Sequence, residues 1–128
     1  IDVRGFFMMG FPTETREEVL ETIEFAKELE VDVAQFMVST PYPGTEMWEI
    51  AKKYGDVSED WSNFTFYAPD KAPFTSKLLS QEDIADLYKK AYRSFYLRPK
   101  FILKQLLRIR SFTDIQRLWI AAKGVLGL

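Results

Sequence analysis

Two short turns hold the residues of this chain best suited to chemistry. The first reads Met9-Gly10-Phe11-Pro12-Thr13-Glu14-Thr15 and the second Ser39-Thr40-Pro41-Tyr42-Pro43-Gly44-Thr45. Gly10 would let a ligand approach the backbone closely. Pro12 and Glu14 follow at a helix start, where free N–H groups favour an anion or carboxylate. In the second turn Pro41 and Pro43 hold the carbonyls fixed, and Tyr42 offers a flat face for stacking. Either turn by itself reads as structural punctuation. Two of them at the same end of adjacent strands read as a site, because ligands of parallel α/β folds collect at the carboxyl ends of the strands.

The remaining composition narrows that chemistry. The 128 residues include no cysteine and no histidine. Disulfides, thiolate or imidazole metal sites, cysteine nucleophiles and Ser-His-Asp triads are therefore excluded for this chain. Catalysis would have to use carboxylates, Lys, Tyr, Ser/Thr or a bound cofactor. With 47% hydrophobic and 28% charged residues the composition is that of a globular chain. A chain of this length can withdraw roughly two-thirds of its surface from water. The net charge of −2 supplies no global field for nucleic acid. The charge is nevertheless polarised: residues 14–32 carry eight acids and two bases, and residues 89–128 carry ten bases and one acid, Asp114. Solvated helix faces account for both runs. The functional alternative is a basic tail, including Lys89, Lys90, Arg93, Arg98, Lys100, Lys104, Arg108 and Arg110, that meets phosphates, lipid headgroups or an acidic partner. No apolar run reaches the roughly 18 residues of a membrane span, and residues 1–10 lack a signal-peptide pattern. A start at Ile1 reads as a processed chain or an excised piece.

The elements that position the two turns follow from periodicity. Residues 3–9 form a nearly continuous apolar run, the pattern of a strand covered on both faces. Thr15 and Glu18 form a capping box for a helix over residues 14–30, with Val19, Ile23 and Ala26 on one face. Residues 33–39 read as a second strand. Strand, helix and strand with short links make a βαβ unit. Thr45 caps a helix over residues 46–54 that stops at Gly55. Residues 56–79 read as irregular, yet Trp61, Phe64, Phe66, Tyr67 and Phe74 require that stretch to pack on something. Glu59, Asp60 and Asp70 there read as solvated charges. Ser80 and Asp83 open a helix to residue 97, Pro99 restarts the chain, residues 101–110 form a basic amphipathic helix, and Ser111 or Thr113 caps a last helix ending near Gly124. Phe25, Phe36 and Trp48 sit at core spacing. The chain thus divides into a βαβ portion (1–55), an aromatic-rich irregular segment (56–79) and a helical extension (80–128).

Two buried strands cannot make a complete sheet, since both edges and both faces would need cover. The expectation is α/β: one βαβ unit of a larger sheet or barrel, sticky in isolation and prone to self-association. At these residues the chain resembles the radical S-adenosylmethionine (SAM) enzymes, most closely the class with an N-terminal cobalamin-binding domain. Residues 5–15 are similar to that family's "GFPGET" turn after the fifth barrel strand, with Thr13 at the usual Gly, and residues 40–45 to its "PYPGT" turn after the sixth. The specific likeness covers about residues 1–55; residues 61–67 and 96–99 resemble the C-terminal extension less specifically. The resemblance implies a fragment of a (β/α)6 partial TIM-type barrel followed by a mostly helical extension. It implies SAM and a [4Fe–4S] cluster as cofactors of the parent, with cobalamin in the class named. This chain lacks the Cys-x3-Cys-x2-Cys loop such a cluster needs, so the fragment alone is expected to be inactive. By the family pattern Met9, Gly10, Pro12, Glu14, Thr40, Pro41 and Tyr42 line the SAM and substrate side, with Glu14 supporting the turn rather than doing acid–base work. The partners expected are the rest of the parent barrel and a small-molecule substrate, not nucleic acid, in a reducing cytoplasm. The competing reading is a helical interaction module whose tail (Leu107, Ile109, Phe112, Leu118, Trp119 and Ile120 among bases) lies on a membrane surface or an acidic partner.

Overall fold

The computed structural model of the chain describes residues 2–29, 31–65, 69–109 and 111–127. Phe66, Tyr67 and Arg110, singled out above, lie outside the described residues. The element order is β1 (Arg4–Met9), α1 (Arg16–Glu28), β2 (Val33–Val38), α2 (Glu46–Tyr54), β3 (Gly55–Val57), β4 (Phe74–Ser76), α3 (Gln81–Tyr96), α4 (Pro99–Leu107) and α5 (Phe112–Leu126), with single 3-10 turns at Trp61–Asn63 and Pro69–Lys71. β1 and β2 pair in parallel, Arg4 opposite Val33 through Met9 opposite Val38. The βαβ unit read from periodicity is present. Among the described residues the sheets are two-stranded and no closed barrel forms.

The two strands are covered on one face, not on both as their apolar runs imply. Phe7 and Met9 of β1, and Ala34, Phe36 and Val38 of β2, are buried against Val19, Ile23 and Ala26 of α1 and Ile84, Leu87, Ala91 and Phe95 of α3. The alternate residues face outward: Phe6 is 62% exposed and Met8 38%, with Val33 also exposed. Alternation along a strand sends neighbouring side chains to opposite faces, and both helices lie on the same side. Phe36 is the hub of the core, with Phe7 stacked on it at 5.4 Å and Tyr92 and Phe95 set edge-on at 72° and 71°. Phe25, expected in the core, is 54% exposed on the outer side of α1.

The outer edge of β2 is closed by side chains of α3. The Tyr96 hydroxyl donates to the Ala34 carbonyl at 2.7 Å and accepts the Ala34 N–H at 3.2 Å. The Tyr92 hydroxyl does the same at Phe36, at 3.2 and 3.3 Å. Two phenols therefore meet the backbone groups that a further strand would otherwise pair. Burial raises the Tyr96 pKa and keeps the hydroxyl protonated, although the Ala34 bond pulls the other way.

Local chemistry sets the helix starts. Thr15 and Glu18, Ser80 and Asp83, and Ser111 and Asp114 each form a reciprocal capping box, worth about 1 kcal/mol apiece. Arg16 reaches Asp83 at 2.8 Å and ties the starts of α1 and α3 together. Arg98 lies over Phe95 and donates to the Lys27 carbonyl at 2.7 Å, fastening the end of α3 to the end of α1.

The segment read as irregular holds a small antiparallel pair, β3 with β4, Gly55 opposite Ser76. A Cβ at Gly55 would lie 2.0 Å from the Thr75 carbonyl oxygen, so glycine is there for close strand approach as well as to end α2. From α4 and its C-cap, two exposed bases reach back to the βαβ unit. Asp32, nearly buried, faces Lys104 at 2.8 Å and Arg108 at 3.0 Å, and accepts the Val3 N–H at 3.0 Å. Lys104 chiefly, with Val3, holds the Asp32 carboxyl down to about 2. Ile102, Leu103, Leu106 and Leu107 face outward. No helix among the described residues is long and apolar enough to cross a membrane.

Candidate functional site

Both turns lie at the carboxyl ends of β1 and β2, joined by a bond from the Ser39 N–H to the Met9 carbonyl at 2.8 Å. In the first, Gly10 has φ +82°, a left-handed conformation that costs other residues about 1–2 kcal/mol. A Cβ on Gly10 would meet Ile84 and Val38 at ordinary contact distance, 3.7 and 3.8 Å. Glycine is thus required by the turn's conformation, and the atoms nearest such a Cβ belong to the chain's own core. Glu14 folds back over the turn, its Oε2 accepting the N–H groups of Gly10 at 2.5 Å and Phe11 at 3.1 Å. These two turn amides are satisfied by this carboxylate. Burial pushes the Glu14 pKa up, with the two N–H groups and the nearby Glu18 as smaller influences, the amides opposing and Glu18 reinforcing.

The second turn is fixed as its prolines imply. The Thr40 hydroxyl donates to the Val38 carbonyl at 3.2 Å. The Thr45 hydroxyl donates to the Tyr42 carbonyl at 2.6 Å and accepts the Trp48 N–H at 3.3 Å, capping α2. Gly44 has φ +83°. Tyr42 then leans on an aromatic cluster. Phe64 lies 5.6 Å from Tyr42, 6.4 Å from Trp48 and 5.0 Å from Trp61, with interplanar angles of 45°, 32° and 31°. Lys52 sits 5.0 Å over the Trp48 ring.

The seven residues singled out by sequence fall into two groups. Met9, Gly10, Pro12 and Pro41 are buried, Met9 to 1% exposure, and serve as supports. Glu14 and Thr40 are half-buried, and Tyr42 is 40% exposed. Residues that sequence reasoning passed over lie on the open sheet face, where Met8 pairs in register with Met37 and Phe6 with Gln35. Strand alternation was the signal, but it could not be phased until the helices showed which face they cover. From the sequence alone Trp61 and Phe64 read only as packing aromatics.

The residues present do not fit an iron–sulfur cluster, which takes thiolate ligands that this chain does not contain. No group of three metal-ligating side chains occurs among the described residues. The open face of the sheet presents Met8, Gln35 and Met37.

No family model matches the chain, and no solved structure matches it significantly. It is 45% identical over 109 residues to an uncharacterized methyltransferase, PH0819, of Pyrococcus horikoshii, covering 84% of this chain and 23% of that protein. It is 25% identical over 117 residues to the bacteriochlorophyllide d C-8(2)-methyltransferase of Chlorobaculum tepidum, covering 90% and 25%. It is 29% identical over 92 residues to the anaerobic magnesium-protoporphyrin IX monomethyl ester cyclase of Cereibacter sphaeroides, covering 72% and 14%. The chain spans about a quarter or less of the length of these relatives.

Proposed function

We propose that this chain is the carboxyl-terminal part of a radical SAM enzyme that modifies a large flat substrate of the tetrapyrrole kind, by methyl transfer or a related radical step. The observation that carries the reading is the coincidence of two things. The chain aligns along most of its length with a methyltransferase at 45% identity and with two tetrapyrrole enzymes, and it brings two fixed turns to the same end of adjacent parallel strands. In this reading the remaining strands, the cluster ligands and any cobalamin site are supplied elsewhere in the polypeptide. SAM would supply the transferred methyl group or the hydrogen-abstracting radical. The residues of this chain do the positioning. Met8, Met37 and Thr40 border the nucleoside, Glu14 locks the first turn, and Pro41 and Pro43 hold the second rigid beneath Tyr42.

The test is made on the intact polypeptide. Its coding sequence upstream of Ile1 should contain Cys-x3-Cys-x2-Cys in frame, and the protein purified without oxygen and reduced should cleave SAM to methionine and 5′-deoxyadenosine. A polypeptide of the relatives' length without that motif, or one that binds a cluster and leaves SAM intact, refutes the proposal.

A further inference from the structure

We propose that α4 and α5 seat the protein on an anionic lipid surface, with their exposed apolar arcs at the acyl boundary and their bases among the headgroups. The fold fixes the inward side of each helix. On α4, Phe101 packs on Phe95 and Tyr96 at 5.5 and 5.2 Å. On α5, which packs on α3, the half-buried Asp114, Leu118 and Val125 share one side. At about 100° per residue, Ile102, Leu103, Leu106 and Leu107 fall together on the remaining side of α4. Ile115 and Trp119 lie one turn apart on α5, with Ile120 beside them. These side chains stand well out in water, Leu107 at 78% exposure and Trp119 and Ile120 at 66%. Charge says what covers them. Residues 99–128 carry six bases and one acid, Asp114, and that acid closes the α5 capping box. Lys104 and Arg108 reach Asp32. Among the described residues no carboxylate pairs with Arg117 or Lys123. Lys123 lies 5.5 Å from the centre of the Trp119 ring, which sets a cation and an indole at one level, as interfacial helices do where tryptophan and lysine meet the headgroups. An acidic protein surface would answer the bases and leave the leucines against charge. An apolar protein groove would do the reverse. Anionic headgroups over hydrocarbon answer both in two layers. Neither helix is long and apolar enough to cross a membrane, so the contact lies in the plane of the surface.

The test is flotation of the intact polypeptide with vesicles, either pure phosphatidylcholine or phosphatidylcholine with about 30% phosphatidylglycerol, at about 0.1 M salt. Wild type should float with the anionic vesicles and bind the neutral ones at least about tenfold more weakly, and added salt should release it. Arg117→Gln with Lys123→Gln should weaken anionic binding about thirtyfold, the loss expected for two bases at a charged surface. Leu103→Ser with Leu107→Ser should weaken it about tenfold or more by removing apolar burial. Phe25→Ser, an exposed ring on α1, should stay within about twofold of wild type, since it lies on neither helix. Far-UV circular dichroism confirms that each variant is folded. A wild-type protein that stays at the bottom of the gradient overturns the proposal, because the arcs are then covered by the rest of the polypeptide or by a protein. Equal binding to both vesicles overturns it too, as does a Phe25→Ser loss as large as that of the leucine pair. SAM cleavage is scored separately, so failure of the lipid contact leaves the proposed function standing, and failure of SAM cleavage leaves the lipid contact standing.

Discussion

Replacing Tyr96 with Phe removes one oxygen and leaves the ring in its place against Phe95, Tyr92 and Phe101. The lost oxygen serves both polar groups of Ala34, at 2.7 and 3.2 Å. A typical net loss is about 1 kcal/mol per hydrogen bond, more where the abandoned group is shielded from water, so Tyr96→Phe should cost about 2 kcal/mol. Tyr92→Phe gives up longer bonds, 3.2 and 3.3 Å at Phe36, and should cost about 1 kcal/mol. The two rings stack at 6.0 Å, so the double variant should fall short of the sum, at about 2–3 kcal/mol. Urea unfolding followed by circular dichroism reads this directly; with a slope of about 2 kcal/mol per molar, Tyr96→Phe moves the midpoint down by about 1 M. Sedimentation should also show the double variant associating, because β2 then offers an unpaired edge. The pH dependence has a definite sign. Burial raises the Tyr96 pKa above its ordinary 10.0, so its contribution is complete below pH 10 and is lost as pH climbs through the folded value. The wild type's advantage over Tyr96→Phe should shrink there. A loss below about 0.5 kcal/mol in Tyr96→Phe, or a larger loss in Tyr92→Phe, refutes the edge-closing role.

Other perturbations test the site and its supports. Glu14→Ala should destabilise by about 1–2 kcal/mol through the freed Gly10 and Phe11 amides, measured by urea unfolding at pH 7. Glu14→Gln, which can still accept both, should flatten the pH dependence, because a raised carboxyl pKa gives stability present below the unfolded value of 4.5 and lost as pH rises through the folded one. Asp32→Asn should lower Tm at pH 7, and the difference from wild type should vanish as pH falls from 3.8 toward about 2, the interval between the unfolded and folded values. Gly10→Ala should cost about 1–2 kcal/mol from backbone conformation alone, whereas Gly55→Ala should cost more, about 3 kcal/mol, because the methyl strikes the Thr75 carbonyl; chemical denaturation ranks the two.

Local signals in the sequence carried most of the framework. The box residues Thr15 with Glu18 and Ser80 with Asp83 lie three apart and act within one turn, so the helix starts were legible. The parallel pair and its two turns were legible from the change of period at Thr15 and again at Val33. What was hidden depends on partners far along the chain. Asp32 read as one acid in a run, yet its partners are Lys104 and Arg108. Tyr92 and Tyr96 read as ordinary helix aromatics, since nothing local says that their hydroxyls reach backbone 56 and 62 residues earlier. The site was half legible. The turns stand where expected, but Met9 and Gly10 face the core, and strand alternation alone could not say whether Met8 or Met9 would look outward.

The tyrosine closure of β2 also sets a timetable. During synthesis the strand emerges first, and the residues that seal Phe36 and Ala34 follow 56 and 62 positions later. At about 5–20 residues per second the edge stays open for roughly 3–12 seconds in every nascent chain. A pause in translation between codons 38 and 92 lengthens that interval, and a faster stretch shortens it. The length of that interval is set by the rate at which this one segment is read, independently of how stable the finished fold is.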